Sequence, residues 1–243
     1  MEKFGQPKEE APVLSDKMKI TSMKKLKEAG ESILHEAHIQ SASGKDQKIA
    51  LKEVKNIDYA TPEEMESNKI FYWSLREFKK FRKFIPPTAY IKGRMDAESD
   101  SQTFRLQRFI EGKSIDKFSD NELYKNPEVV RQLEEFAEAA IEVLEKTRKE
   151  KTLPPDFMRT PELAGIRVLI GSMMVNPRYS SNIFIADEPD KNGQKVFYVD
   201  TSANADVSHK KTWKFLAQYL HSPLQIRQLG KWKEKLQKIL EEK

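Results

Sequence analysis

The hydrophobic positions of the chain follow two kinds of pattern. Short apolar runs rich in β-branched and aromatic residues predict strands, at 30–40, 48–56, 88–94, 103–110, 182–186 and 196–199. Apolar residues at helical spacing predict helices, at 61–83, 126–150, 161–174 and in two basic segments after Ser202, the second from about Leu224. Residues 19–30 fit a short basic helix or a first strand, and residues 1–18, which lack periodicity, are predicted to be a flexible arm.

The last two predicted strands flank a turn that contains Asn192-Gly193, a strong hairpin signal. Asn182 begins the first of these strands and Asp200 ends the second, so a hairpin would bring the two side chains close together. An amide oxygen and a carboxylate are ligands that Mg²⁺ accepts while phosphate supplies the rest of its shell. An ordinary hairpin with a capping asparagine and a strand-end aspartate remains an equal alternative.

This hairpin resembles the catalytic loop and metal-binding segment of the protein-kinase and aminoglycoside-phosphotransferase superfamily. RYSSNIFIA is similar to the asparagine strand and YVDTS to the metal-aspartate segment, which implies that Asn182 and Asp200 hold metal. The chain departs from the family five residues before the asparagine, where the catalytic aspartate is replaced by Pro177. Proline neither accepts a proton nor orients a hydroxyl, so the resemblance supports the fold more than the activity.

Further pieces resemble the family in the family's order. Ile49-Ala50-Leu51-Lys52 matches the context of the strand lysine that holds the nucleotide phosphates. The resemblance implies that a glutamate of the next helix pairs with Lys52, and both Glu66 and Glu77 remain candidates. The phosphate-covering loop is represented only by Gly30 and the nearby Ser32. An exposed strand lysine and plain surface glutamates are the alternatives.

The segment LQRFIEGKSID resembles the hinge between kinase lobes. By that resemblance Gln107 lies behind the adenine and the backbone of Arg108, Phe109 and Ile110 bonds its edge. Asp156, in a Pro-Asp-hydrophobic context, is a further catalytic candidate, although a turn aspartate is the simpler interpretation. The resemblance implies a kinase-like two-lobe α+β fold, with an arm at 1–18, a sheet lobe at 19–110 and a helical lobe at 111–243 that contains the hairpin at 175–202.

Composition limits the alternatives. The 243 residues include no cysteine, which removes disulfides, thiolate zinc sites and cysteine nucleophiles together. No apolar run approaches the length of a bilayer span, and the N-terminus has no apolar signal core, so a cytoplasmic location is expected. The net charge of +5 permits contact with phosphates or nucleic acid without requiring it.

Three functions follow as hypotheses. The first is an ATP- and Mg²⁺-dependent phosphotransferase with an unknown acceptor. The second is a pseudokinase, which binds nucleotide or a protein partner without turnover, and which Pro177 and the glycine-poor loop favour. The third, less favoured, is a nucleic-acid-binding module carried by the basic C-terminal segments, whose lysines more simply form a solvated face.

Overall fold

The computed structural model describes residues 13–15, 18–28, 32–41, 44, 46–54, 62–93, 102–150, 152, 155, 157, 177–200 and 211–242. Strands in these ranges are β1 (Val13–Ser15), β2 (Met18–Glu28), β3 (Ser32–Ser41), β4 (Asp46–Val54), β5 (Thr88–Gly93), β6 (Gln102–Arg108), β7 (Gly112–Ser114), β8 (Ile183–Ala186) and β9 (Val196–Tyr198). The α-helices there are α1 (Pro62–Glu77), α2 (Asp120–Lys125), α3 (Pro127–Lys149) and α4 (Lys211–Glu241). The predicted α+β class is therefore confirmed.

The strands form two antiparallel sheets. The larger has the order β1-β2-β3-β4-β6-β5, and the smaller has the order β7-β8-β9. In the larger sheet β1 also contacts β5, so its two edges approach each other and enclose one face. That face carries the apolar core of the sheet, which consists of Ile20, Ala37, Ile39, Ile49, Leu51, Phe104 and Leu106.

The chain divides into two compact units. Among the described residues, the first unit contains those up to Tyr72 together with those within Pro87–Ile110, and so includes the larger sheet. The second unit contains Trp73–Pro86 and the described residues from Glu111 onward, and so includes the smaller sheet and α2 to α4. Helix α1 therefore begins in the first unit and ends in the second.

The core of the second unit is built on α3. Asn126 caps this helix, because its Oδ1 accepts hydrogen bonds from the backbone N–H groups of Glu128 and Val129, and Pro127 occupies the first turn. α4 packs along α3. Five buried rings cluster between α3, β9 and the neighbouring loops, with centroid separations of 5.1 to 6.4 Å, namely Phe81, Phe84, Phe136, Phe157 and Tyr198.

Most predicted elements occur with small changes of boundary, but two expectations need correction. Of the two alternatives for residues 19–30 the strand is confirmed, because these residues belong mostly to β2, in which Ile20 and Met23 pack on the sheet core. The predicted flexible arm at 1–18 contains strand β1 and the first residue of β2. The predicted helix at 161–174 lies outside the described residues.

The second correction concerns the C-terminal segment, which was predicted as two helices and forms one helix, α4, with Pro223 inside it. The proline lacks a backbone N–H, so one helical hydrogen bond is missing there. Buried positions recur at helical spacing from Ser222 onward, and Ser222, Gln225, Leu229, Trp232 and Leu236 are all buried. Packing along α3 therefore outweighs the one missing hydrogen bond.

Candidate functional site

The β8–β9 hairpin brings Asn182 and Asp200 together, as the sequence predicted. The Nδ2 of Asn182 donates to Oδ2 of Asp200 over 3.5 Å, and both residues are half-buried. The backbone closes the same end of the hairpin, because the N–H of Val199 donates to the carbonyl of Asn182 at 2.9 Å. An amide and a carboxylate therefore meet at this end of the hairpin, with the amide nitrogen facing the carboxylate.

The loop before Asn182 is fixed by a buried arginine. Residues 177–179 form a short 3₁₀ turn, and the guanidinium of Arg178, 7% exposed, donates to Oδ1 of Asp120 at 2.8 Å and to the carbonyls of Ile115 and Phe118. The hydrogen bond from Arg178 holds the pKa of the Asp120 carboxyl below its ordinary value. Pro177, at the position that the sequence resemblance assigned to a catalytic aspartate, thus begins a turn that the hydrogen bonds of Arg178 hold in place.

Ser180 ties the same loop to a second segment. Its buried hydroxyl donates to the carbonyl of Phe157 at 3.1 Å and accepts the backbone N–H of Asn182 at 3.2 Å. The N–H of Phe157 in turn donates to Oε1 of Gln225 on α4 at 3.1 Å. The backbone of Asn182 is therefore positioned by a chain of hydrogen bonds that reaches α4.

The far end of the hairpin is held by Gln132 on α3. Its Oε1 accepts the N–H groups of Lys195 at 2.8 Å and Val196 at 3.1 Å, and its Nε2 donates to the carbonyl of Gly193 at 2.8 Å. Gly193 adopts a φ of +79°, which favours glycine in this turn. One buried amide thus fixes the turn against α3.

Lys52 lies on β4 in the first unit, on the face opposite the apolar core. Side chains alternate along a strand, so Ala50 and Lys52 share one face while Ile49 and Leu51 lie on the other. The register places Lys52 beside Arg105 of β6, and Arg105 beside Tyr90 of β5. This row of side chains is the candidate phosphate-binding face.

Helix α1 packs on the same face through Tyr72. The hydroxyl of Tyr72 accepts the N–H of Thr88 at 3.1 Å, and its ring lies edge-on to Tyr90 with centroids 6.3 Å apart. The two glutamates predicted to pair with Lys52 lie on other sides of α1 than Tyr72. Glu66 is 62% exposed and pairs with Lys69 at 3.6 Å, and Glu77 is also exposed.

The predicted base-binding residues follow β6. Gln107 is 6% exposed, lies beside Ala50 in the register, and donates through Nε2 to Oγ1 of Thr88 at 3.0 Å. The N–H of Arg108 donates to the carbonyl of Pro87 at 3.0 Å, which occupies one of the backbone donors expected to meet a base.

Phe109 and Ile110 are half-buried, and the ammonium of Lys48 lies 4.3 Å from the Phe109 ring centroid. Two other expected residues, Gly30 and Asp156, lie outside the described residues, and Ser32 begins β3. Nothing in these contacts assigns a base to the hinge-like segment, so its role stays a prediction.

Two of the C-terminal lysines take part in packing. Lys233 pairs with Glu138 at 2.9 Å, and Lys235 pairs with Asp120 at 3.3 Å. Hydrogen bonds from Lys80 and Lys233 lower the pKa of Glu138 to about 2. These ion pairs give the basic helix α4 a role in the second unit that does not involve nucleic acid.

Sequence reasoning did not identify the buried polar residues that shape the hairpin. Gln132 could have been found, because it is a polar residue within the apolar stripe of α3. Arg178 and Ser180 have no comparable signal, since their partners lie far along the chain. Within the described ranges, no three acids or histidines lie close enough to hold a metal by themselves, and no helix there is long and apolar enough to cross a membrane.

No protein-family model matches the chain, and no curated protein matches it in sequence. Among solved structures, it is similar to Rad53 in complex with AMP-PNP, with 10% identity and a TM-score of 0.40, over 86% of this chain and 46% of that one. It is also similar to the GDP complex of a mutant aminoglycoside 2'-phosphotransferase-IIIa, with 12% identity and a TM-score of 0.35, over 92% of this chain and 89% of that one. At these TM-scores neither similarity establishes the fold or activity of this chain, so the site must be judged from its own residues.

Proposed function

We propose that the chain is a kinase-like protein that binds ATP with Mg²⁺, and that Asn182 and Asp200 are the metal ligands. The observation that carries the proposal is the 3.5 Å contact between these side chains at the base of the β8–β9 hairpin. The donor set fits Mg²⁺, which keeps several waters and takes one or two protein oxygens together with phosphates. Bound Mg²⁺ neutralises charge on the phosphates, and the hairpin fixes the two ligands that hold it.

Lys52 is the proposed phosphate-binding lysine, because it lies on the face of β4 that also receives α1. Its proposed helix partner is a glutamate, for which the sequence offered Glu66 and Glu77. Both side chains are exposed, and Glu66 pairs with Lys69, so pairing with Lys52 requires either glutamate to turn from the position it has here.

The proposed base-binding segment is Gln107 to Ile110, with Gln107 fixed by Thr88 behind the base and the backbone after Arg108 supplying the edge contacts. Gly30 and Ser32 complete the proposal as the phosphate-covering loop. The acceptor of any phosphoryl group is not assigned, because no described side chain distinguishes a protein from a small-molecule hydroxyl.

Thermal shift with ATP tests the metal proposal directly. A ligand that binds only the folded state at one hundred times its Kd adds about 2.7 kcal/mol, which raises the Tm of a chain this size by about 5–10 °C. We expect a rise that requires Mg²⁺ and is absent in Asp200→Ala. Asp187→Ala is the matched control, since Asp187 is an exposed aspartate at the other end of β8 and should leave the rise intact. Equal shifts in the two variants would remove Asp200 from the site.

The partner of Lys52 is tested in the same assay. The glutamate that pairs with Lys52 should reduce the ATP-dependent rise when replaced by glutamine, as much as Lys52→Ala does, so Glu66→Gln and Glu77→Gln are compared. The variant that combines Lys52→Ala with the effective glutamate substitution should lose no more than either single variant, because residues that act together are not additive. Additive losses would contradict the pairing.

Binding without turnover is the second candidate function, and Pro177 is the observation that favours it. Turnover needs another group to orient the acceptor hydroxyl, and Asp156 is the proposed one because its neighbour Phe157 is hydrogen-bonded to the loop that carries Asn182. Transfer of radiolabelled γ-phosphate to protein or release as inorganic phosphate measures turnover. Loss of either signal in Asp156→Asn with unchanged ATP binding supports the enzyme, and absence of both in the wild type supports the pseudokinase.

A further inference from the structure

The turn between β8 and β9 contains the single asparagine of the chain that is followed by glycine, in the pair Asn192-Gly193. Both residues are exposed to solvent. In such a pair the backbone nitrogen of the glycine can approach the side-chain carbonyl carbon of the asparagine, because glycine has no Cβ to obstruct the approach. The amide of Asn192 therefore has a nucleophile next to it in the chain, and its conversion to an acid needs water but no enzyme or cofactor.

The hydrogen bonds of the folded turn hold this nucleophile in place. The N–H of Gly193 donates to the carbonyl of Asp190 at 2.9 Å. The Oδ1 of Asp190 accepts the neighbouring N–H groups of Asn192 at 2.8 Å and Gln194 at 3.0 Å. Because the nitrogen of Gly193 must lose its proton in order to react, and this proton is engaged in the closed turn, the turn has to open before Gly193 attacks Asn192.

Gln132 of α3 holds the same turn closed from outside the hairpin. Its Nε2 donates to the carbonyl of Gly193 at 2.8 Å, and its Oε1 accepts the N–H of Lys195 at 2.8 Å. The side chain of Gln132 is buried, with the residue 5% exposed, whereas water reaches both residues of the reactive pair. The barrier to reaction is therefore set by the hydrogen bonds of the turn and not by exclusion of water.

We propose that Asn192 is a site of deamidation that Gln132 and Asp190 protect while the hairpin is closed. When the turn opens, the nitrogen of Gly193 loses its proton and forms a bond with Cγ of Asn192. The bond from Cγ to Nδ2 breaks as Nδ2 takes up a proton and leaves as ammonia. One water molecule then opens the cyclic imide at either of its two carbonyl carbons, which gives aspartate or isoaspartate.

The isoaspartate product changes the turn permanently. It places one additional carbon in the backbone between residues 192 and 193, and it replaces a neutral amide with a carboxylate. The bonds from Gly193 to Asp190 and from Gln132 to Gly193 are spaced for an ordinary backbone, so we expect the modified turn not to close again on Gln132. The proposal does not depend on nucleotide binding, because it concerns the end of the hairpin opposite Asn182 and Asp200.

Mass spectrometry of proteolytic peptides, after incubation of the full chain at neutral pH, measures the reaction. The acid is heavier than the amide that it replaces, and isoaspartate and aspartate peptides are separated by chromatography. The wild type is expected to react at least about tenfold more slowly when folded than in denaturing urea, because the open turn is a minor state of the folded chain. Asn121, an exposed asparagine followed by Glu122, is the internal control and should react far less in every sample.

Two variants open the turn by different routes. Gln132→Leu removes the hydrogen bonds from α3, Asp190→Ala removes those of the side chain within the turn, and each should raise the rate of the folded protein about tenfold or more. Gln237→Leu, which removes a polar contact between α4 and α3 away from the turn, is the matched control and should leave the rate unchanged.

Far-UV circular dichroism before incubation shows whether each variant is folded, and Asp190→Ala decides the result if Gln132→Leu does not fold. The proposal is overturned if the folded wild type reacts as fast as the chain in urea, or if the folded variants react at the wild-type rate. It is also overturned if no product forms at Asn192 in urea.

Discussion

The two halves of the proposed nucleotide site are built differently. The hairpin that carries Asn182 and Asp200 rests on a closely packed aromatic core, because Tyr198 of β9 contacts Phe136 and Phe157. The strand that carries Lys52 rests on an aliphatic core, and a cavity opens at one end of that sheet. The proposed metal ligands therefore lie on the support whose rings are closely packed.

The polar contacts show the same difference. Buried amide, hydroxyl and guanidinium groups of Gln132, Ser180 and Arg178 fix both ends of the hairpin by hydrogen bonds of high sequence separation. On the sheet that carries Lys52, Tyr72 and Gln107 hydrogen-bond to Thr88 over shorter sequence separations, and the two glutamates suggested by sequence are exposed. If Asn182 and Asp200 bind metal, the hydrogen bonds of the hairpin hold these two ligands in a fixed geometry before binding.

The largest expected effect is at the centre of the aromatic core. Phe136→Ala removes a fully buried ring that contacts Phe81, Phe84, Phe157 and Tyr198, and should lower the free energy of unfolding by about 4 kcal/mol. Urea denaturation followed by tryptophan fluorescence measures this, because all three tryptophans belong to the second unit.

Phe136→Leu is the matched control, since it retains most of the buried volume and should cost less than about 1.5 kcal/mol. A loss of less than about 2 kcal/mol in Phe136→Ala would contradict the central place of this ring in the aromatic core.

The next largest effect is expected at Gln132. Gln132→Leu keeps the size of the side chain but leaves the N–H groups of Lys195 and Val196 without their acceptor, and Val196 is buried. Unsatisfied buried donors cost about 1–3 kcal/mol each, so a loss of about 2–3 kcal/mol is expected in urea denaturation. If the turn positions the metal ligands, the ATP-dependent shift should also decrease.

Gln237→Leu is the control for this change. Gln237 on α4 makes a part-buried bond of 2.8 Å to Glu134, so its replacement should cost less than about 1 kcal/mol and leave the ATP response unchanged. Equal losses in the two variants would show that Gln132 has no special role in fixing the hairpin.

The hairpin could be predicted from sequence because its signals are local. Asn192-Gly193 specifies the turn, alternating apolar residues specify the strands, and the closeness of Asn182 and Asp200 follows from the geometry of a hairpin. The α+β class and most element boundaries could be predicted for the same reason. The single helix α4 could not, since Pro223 is a local stop signal that tertiary packing on α3 overrides.

The sequence also could not predict contacts between segments that lie far apart along the chain. Arg178 meets carbonyls about sixty residues away, and Ser180 meets Phe157, without any periodicity that marks them. The helix phase that exposes Glu66 and Glu77 depends on which side of α1 meets the sheet, and Tyr72 decides this in the fold. The sequence therefore could not assign side-chain roles that depend on how two elements are oriented relative to each other.

The smallest predicted effect is electrostatic and concerns the surface of the second unit. Glu138 accepts hydrogen bonds from Lys80 and Lys233, which lower its pKa from 4.5 to about 2. Since the folded pKa lies below the unfolded one, these contacts stabilise the fold above pH 4.5 and are lost as the pH falls towards 2. The carboxylate is 44% exposed, so solvent screening limits the contribution to about 1 kcal/mol or less.

Glu138→Gln should therefore lower the free energy of unfolding by about 0.5–1 kcal/mol at pH 7 and have almost no effect near pH 2.5. Urea denaturation of both proteins across this range measures the difference, and Glu134→Gln is the matched control because its partner is the neutral Gln237. A difference that stays constant from pH 7 to 2.5 would show that the lysines do not act through the charge of Glu138. A difference that disappears in 1 M salt at pH 7 would show that this ion-pair cluster behaves like ordinary surface pairs, which salt screens. The fixed geometry of the hairpin would then depend only on its buried hydrogen bonds and aromatic core.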